Sequence, residues 1–198
     1  MWNMEDTREF IIDEAYKLFL NNSYEAVSIN DISKPIGFTK GALYHHFSSK
    51  QELFKAVIDK YLNFGENPAI GLDIPLCDYI DSMIEHAGHI LDSISNRNKQ
   101  FEPISILSLI IDSMRHYPES VSKKIDLFNS ETERIRIVLE NAIKRKEIRG
   151  DIDPALTAGN YFSLMYAVTN NLIQNVNPDQ AIQILKAQLF EFYKLLKI

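Results

Sequence analysis

The residues from Ser28 to Leu53 constrain this chain more than any other stretch. Ser28-Ile29-Asn30-Asp31-Ile32 starts a short amphipathic helix, and Ile36-Gly37-Phe38 reads as a tight turn. Thr39 through Phe47 forms a second short helix, and Ser48-Ser49-Lys50-Gln51-Glu52-Leu53 opens a third. Two short helices joined by a Gly-bearing turn make a helix-turn-helix, whose second helix enters the major groove of DNA.

The second helix has two faces. Leu43 and Phe47 stand one turn apart and are expected to bury it against Ile29, Ile32 and the first helix of the chain. The opposite face presents Lys40, Gly41, Tyr44 and His45, with Ala42 near the helix start. Lys40 can donate to guanine O6 or N7, and Ala42 can touch a thymine methyl. Gly41 lets the backbone approach the groove, and His45 donates or accepts according to its tautomer.

The match to a known pattern begins upstream, with Ile12, Ala15 and Phe19, and continues through Tyr24, Val27-Ser28-Ile29 and Asp31-Ile32. It runs on through Gly37-Phe38-Thr39-Lys40-Gly41-Ala42-Leu43-Tyr44-His45-His46-Phe47, then Lys50, Glu52 and Leu53. These residues resemble the DNA-binding region of the tetracycline-repressor (TetR) family over roughly the first quarter of the chain. The resemblance implies base-reading roles for Lys40, Gly41, Ala42 and His45, and phosphate contacts from Ser28, Thr39, Tyr44, His46 and Lys50. Two positions depart from the pattern. Ser23 replaces a Gly that ends the first helix, which makes a left-handed cap more costly. Pro35 falls late in the second helix and is expected to end it early.

Lys50 carries an argument of its own. A capping box of Ser49 and Glu52 makes Lys50 the first helical residue, where a cation opposes the helix dipole. A DNA phosphate at that helix end reverses the sign, so Lys50 reads as a phosphate clamp.

The net charge of −6 does not by itself suggest a nucleic-acid partner. From Ser28 to Lys60, however, Lys34, Lys40, Lys50, Lys55 and Lys60 face only Asp31, Glu52 and Asp59. DNA binding needs a local basic face, not a basic protein. The chain of 198 residues is 45% hydrophobic, enough for a well-buried core. A single cysteine, Cys77, excludes an intramolecular disulfide framework and fits a reducing cytoplasm. No apolar run approaches a membrane span, and the N-terminus lacks the pattern of a signal peptide. A cytoplasmic protein with no membrane partner is expected.

Helical periodicity runs through nearly every long segment, and no alternating strand pattern emerges. The fold class is all-α: an N-terminal three-helix DNA-binding domain over residues 1–63, then a larger helical effector-binding and dimerisation domain over 64–198. Gly65, Pro68, Gly71 and Pro75 mark the boundary. In the second part, Ile104 to Ile111 is apolar nearly all round and predicts a centrally buried helix. The long helix after Pro118 is expected to turn Ile125, Phe128, Ile135, Val138 and Ala142 inward and to solvate Glu131, Glu133, Arg134, Arg136 and Glu140. Asp153-Pro154 reads as a helix cap and first position. The last two helices carry more apolar residues than one core requires. Leu164, Val168, Leu172, Ile182, Leu185, Leu189 and Phe192 are candidates for a homodimer interface built as a four-helix bundle, and the resemblance implies the same.

The resemblance also implies a small-molecule effector in the C-terminal part, whose binding changes the spacing of two DNA-reading heads on an inverted-repeat operator in double-stranded DNA. Candidate lining residues are Tyr79, Met83, His86, Leu107, Ile111, Met114, Phe162, Met165, Tyr166 and Asn170. His86 and His89 with Glu85 lack a second ligand pair, so no metal site is expected. No Gly-rich phosphate loop, Gly-x-Ser-x-Gly elbow or His-Glu-x-x-His is present, which argues against an enzyme and against a cofactor. The rival reading is a helical small-molecule-binding or protein-interaction module that keeps the helix-turn-helix as a scaffold.

Overall fold

The computed structural model describes residues 4–62, 70–97, 103–173 and 177–198; side chains at 94–97, 103, 169, 170, 172 and 173 are not described. The elements are helices: α1 (Met4–Asn21), α2 (Ile29–Ser33), α3 (Lys40–His46), α4 (Lys50–Tyr61), α5 (Leu76–Arg97), α6 (Pro103–His116), α7 (Glu119–Lys144), α8 (Pro154–Ile173) and α9 (Pro178–Leu196). The one departure among the described residues is an isolated antiparallel bridge between Ile148 and Lys197. No helix among them is long and apolar enough to cross a membrane.

Two compact units emerge: Met1–Phe64 with Ile104–Lys124, and Gly65–Pro103 with Ile125–Ile198. The sequence division at residue 63 assigns all later helices to a second domain. The structure instead returns α6 and the start of α7 to the first unit, because their polar side chains bond to it. Asp112 accepts from the Tyr24 amide at 2.7 Å, and the Gln51 side chain donates to the His116 carbonyl at 3.1 Å. Lys123 pairs with Asp59 at 2.7 Å, and the Tyr117 hydroxyl donates to the same carboxylate.

The first unit is built on apolar residues at helical spacing. Ile11, Ile12, Ala15 and Phe19 of α1 are buried with Leu53, Phe54, Val57 and Ile58 of α4, as the periodicity predicts. Phe19 meets Phe54 edge-on at 4.9 Å, and Tyr16 stacks on Tyr61 at 3.7 Å. Each short helix is capped by a hydroxyl. Ser28 accepts from the Asp31 amide, Thr39 from Ala42 and Ser49 from Glu52. At α2 the capping box is reciprocal. At α4 the Glu52 carboxylate reaches past Ser49 to the Ser48 amide and hydroxyl, both at 2.6 Å. α2 stops at Ser33, before Pro35. No left-handed cap forms at Ser23. The Asn21 and Asn22 side chains instead donate to the Lys17 and Leu18 carbonyls, which closes the helix end.

α6 departs from its expected central burial. Ile106 and Leu109 are buried beside Asp112 and Ser113, whereas Ile104, Ile111 and Met114 are exposed. One face of α6 packs into the first unit through a mixed apolar and polar seam, and its other apolar face is left open.

In the second unit α9 packs against both α5 and α8. Tyr79, Ile80, Ile135, Val138, Leu139, Tyr161, Leu185 and Leu189 anchor the core. Asp153 caps α8 by accepting from the Ala155 and Leu156 amides, with Pro154 first in the helix. Glu147 ties three pieces together: its carboxylate accepts from the Leu76 amide at the start of α5 and from the Tyr193 hydroxyl of α9, and pairs with Arg145. Ile125 and Phe128 are exposed rather than inward, and Glu131 and Arg134 are largely covered rather than solvated. The inward stripe of α7 is therefore closed from Ile135 to Ala142 and open at its earlier turns.

Candidate nucleic-acid interface

α3 is seated by Leu43 and Phe47, both fully buried with Ile32. That burial fixes which way the rest of the helix faces. Thr39, Lys40, Gly41, Ala42, Tyr44 and His45 are all exposed, and His46 is half-buried. The Lys40 ammonium lies 5.8 Å from the centre of the Tyr44 ring, and the His45 and His46 rings meet edge-on at 5.7 Å. A seven-residue helix thus offers one cation, aromatic edges and a bare backbone at Gly41 on one side, with no bulky aliphatic group to obstruct a groove.

The turn before it closes around Gly37. Its φ is +72°, the Phe38 amide donates to the Ser33 carbonyl, and the Gly37 amide donates to Lys34. This pair of bonds is a Schellman motif, which requires a left-handed residue where glycine stands.

The residues assigned to phosphate differ in how free they are. Thr39 accepts from the Ala42 amide at 3.1 Å, which leaves its hydroxyl proton to donate outward. Ser28 uses its hydroxyl proton on Asp31 at 2.5 Å. Lys50 is half-buried, and its ammonium donates to the Tyr24 and Val27 carbonyls at 2.9 and 3.0 Å and sits 4.0 Å from the Tyr24 ring. The clamp expected from its position is thus occupied internally: the cation neutralises two carbonyls of the α1–α2 connection. Two carboxylates are also shifted. Hydrogen bonds from the Ser28 hydroxyl and amide hold Asp31 below the usual range, and those from Ser48 do the same for Glu52.

One cation was not evident from the sequence. The Arg8 guanidinium lies 4.8 Å from the Phe47 ring, at the C-terminal edge of α3. Its proximity is tertiary, and no spacing along the chain announces it.

The effector candidates are drawn from both units. Tyr79, Met83, His86, Phe162, Met165 and Tyr166 belong to the second unit, whereas Leu107, Ile111 and Met114 belong to the first. Tyr79 and Met83 are buried, His86 is half-buried, and Tyr166 is exposed. Burial and the neighbouring His89 push the His86 imidazole below its usual pKa. The Asn170 side chain lies outside the described residues. A cleft of about 220 Å³ opens between the end of α1 and Pro35, lined by Leu18, Asn22, Ile32 and Ile36 among others, and none of these candidates lines it. No group of three potential metal ligands occurs among the described residues.

The dimer candidates are also redistributed. Val168, Leu185 and Leu189 are buried in the core of their own unit and cannot form an outer face; Leu164, Ile182 and Phe192 pack against that core. The Leu172 side chain lies outside the described residues. Among the described side chains of α8 and α9, the large apolar residues that stand exposed are Leu156, Tyr166, Ile184 and Leu195.

Residues 11–57 match the family model for bacterial regulatory proteins of the tetR family. The TetC protein of transposon Tn10 from Escherichia coli is 34% identical over 116 residues, which span 55% of this chain and 55% of that protein. The transcriptional regulator SrpR of Pseudomonas putida is 28% identical over 98% of this chain and 86% of its own length. Among solved structures, a TetR transcriptional regulator from Chloroflexus aurantiacus superposes with a TM-score of 0.68 at 23% identity, covering 98% of this chain and 96% of that one. With the helix-turn-helix geometry above, residues 11–57 are a DNA-binding region of the tetR type, and the chain along its length is similar to helix-turn-helix transcriptional regulators of that family and shares their fold.

Proposed function

We propose that this chain is a homodimeric repressor that acts in the cytoplasm, holds an inverted-repeat operator through α3, and is released by a small-molecule effector bound in the second unit. The observation that carries it is the two-sided α3: Leu43 and Phe47 buried beneath, with Lys40, Gly41, Ala42, Tyr44 and His45 exposed above. Among relatives, IcaR of Staphylococcus epidermidis is a negative transcriptional regulator, and NalD of Pseudomonas aeruginosa, with a TM-score of 0.65, is a secondary repressor of an efflux pump.

Dimerisation rests on the exposed apolar residues of α8 and α9 and places two α3 helices on successive major grooves. The chain acts by binding, and effector release requires only that the effector prefer the conformation that fits DNA poorly. The segment 104–124 supports such coupling, because it is bonded to the connection before α2 at Tyr24 and to α4 at Gln51 and Asp59, the elements that flank the helix-turn-helix.

Selection from a random duplex pool at near-physiological salt tests this reading. An enriched inverted repeat is the expected result, and protein that is folded but enriches nothing refutes it. Lys40→Ala should relax base preference at one position per half-site, by about 1–3 kcal/mol of lost discrimination, with little change on random DNA.

A further inference from the structure

Two adjacent lysines near the start of α7 are held in opposite ways. The Lys123 ammonium donates to the Asp59 carboxylate at 2.7 Å and lies 5.5 Å from the centre of the Tyr117 ring. Its side chain is nonetheless 63% exposed. Lys124 is half-buried. Its ammonium donates to the Ser113 hydroxyl at 3.0 Å, and no carboxylate pairs with it among the described residues.

The groups beside Lys124 are neutral and already committed. Ser113 is fully buried on α6 and gives its own proton to the Ile110 carbonyl at 2.7 Å. Its oxygen is left to accept, and Lys124 is the donor it uses. Ser120, one turn before Lys124 on α7, is also buried, and its hydroxyl donates to the Ser113 carbonyl at 3.3 Å. An ammonium therefore brings three donors and a full charge to a place that shows one acceptor and no counter-charge.

The two amines differ in nucleophilicity as a result. Burial pushes the Lys124 amine below the usual lysine range. For Lys123 the hydrogen bond to Asp59, followed by that to Tyr117, holds the amine above it. Only an unprotonated amine has the lone pair that attacks carbon. The less exposed neighbour is thus the better nucleophile. An amide at Lys124 also suits the surroundings, because it is uncharged and keeps one N–H for the Ser113 oxygen.

We propose that Lys124 is an acylation site, whose ε-amine takes an acyl group from an activated carboxyl donor, an acyl phosphate or an acyl thioester. The amine lone pair attacks the carbonyl carbon and a C–N bond forms. The C–O bond to phosphate, or the C–S bond to the thiol, breaks, and the leaving group departs with the electron pair. The amine releases one proton to water, and the product is a neutral secondary amide. Ser113 adjoins Asp112, whose carboxylate accepts from the Tyr24 amide. The modified side chain would therefore stand beside the bond that ties α6 to the connection before α2.

The test treats the folded full chain at mildly alkaline pH with limiting acetyl phosphate in one arm and acetyl-coenzyme A in the other. Mass spectrometry reads early acetylation at each lysine. With one donor or both, Lys124 should react at least about tenfold faster than Lys123, the factor that one pKa of separation makes in free amine. The preference should vanish in denaturing urea, where the two amines share the same surroundings. A chain carrying acetyl-lysine at position 124, made by amber suppression, should melt no lower than the unmodified chain. The assignment is overturned if neither donor favours Lys124 over Lys123, if the preference survives unfolding, or if acetyl-lysine at 124 lowers the melting temperature. Preference with one donor alone supports the site and fixes the donor class.

Discussion

Lys50 shows how far a single position can be read from sequence. Its place at the start of α4 was legible, because Ser49 caps that helix by accepting from the Glu52 amide, although the Glu52 carboxylate goes to Ser48 and the expected box does not close. Its partners were not, since the Tyr24 and Val27 carbonyls come from a connection more than twenty residues away whose path no local pattern encodes. The two roles predict different outcomes. As an internal staple, Lys50→Ala should lower unfolding free energy by about 1–3 kcal/mol, because two carbonyls lose a charged donor. The slope of log affinity against log salt should then stay unchanged; a phosphate contact would reduce it by about one. Urea unfolding and a salt titration on one DNA duplex separate the cases. Lys146 offers a second residue-scale test. It has φ of +59°, and its neighbours repeat the bond pattern seen at Gly37: the Glu147 amide donates to Ala142 and the Lys146 amide to Ile143. Glycine fills that position at one helix end and lysine at the other. Lys146→Gly should therefore stabilise by about 0.5–1 kcal/mol, read as a raised urea midpoint with an unchanged slope.

At the scale of elements, helix existence was readable almost everywhere, because 3.6-residue apolar spacing and cap residues agree along the chain. The facing of the later helices was less so. Leu43 and Phe47 gave the burial of α3 correctly, since a short helix with two large apolar residues has one way to seat. α6 and α7 carry apolar residues on more than one face, and which face closes depends on neighbours that spacing cannot name. Hence Ile111 and Phe128 turned out exposed, and Arg134 covered. The caps themselves carry a pH dependence. Asp31 and Glu52 are held below the usual carboxylate range, so the fold favours their ionised forms. That contribution is complete at neutral pH and is lost as pH falls through the depressed folded-state values, below about pH 4. Melting temperatures of the wild type should thus fall steeply on acidification. Asp31→Asn with Glu52→Gln should melt lower at pH 7 and show a shallower acid slope, and equal slopes would remove these caps from the acid response.

At the scale of the whole chain, the unexpected feature is the return of residues 104–124 to the DNA-binding unit. Sequence order places them deep in the second half, and the boundary signals at Gly65 and Pro68 say nothing of a later segment coming back. The contact is made by polar bonds across the chain, chiefly the Asp112 carboxylate on the Tyr24 amide, in a part-buried setting where an unpaired donor is costly. Tyr24 is also the residue whose carbonyl and ring hold Lys50, and its ring stacks on His116 at 4.1 Å. One small junction therefore bonds α4, α6 and the connection leading into α2, so a disturbance of α6 reaches the helix-turn-helix through Tyr24. Asp112→Ala should loosen the junction without touching α3. Affinity should fall on operator and random duplex alike, while far-ultraviolet circular dichroism stays near wild type and any effector-induced melting shift persists. Wild-type affinity in this variant would show that the α6 contact is not required for the DNA-competent state, and the switch would then have to run by another path.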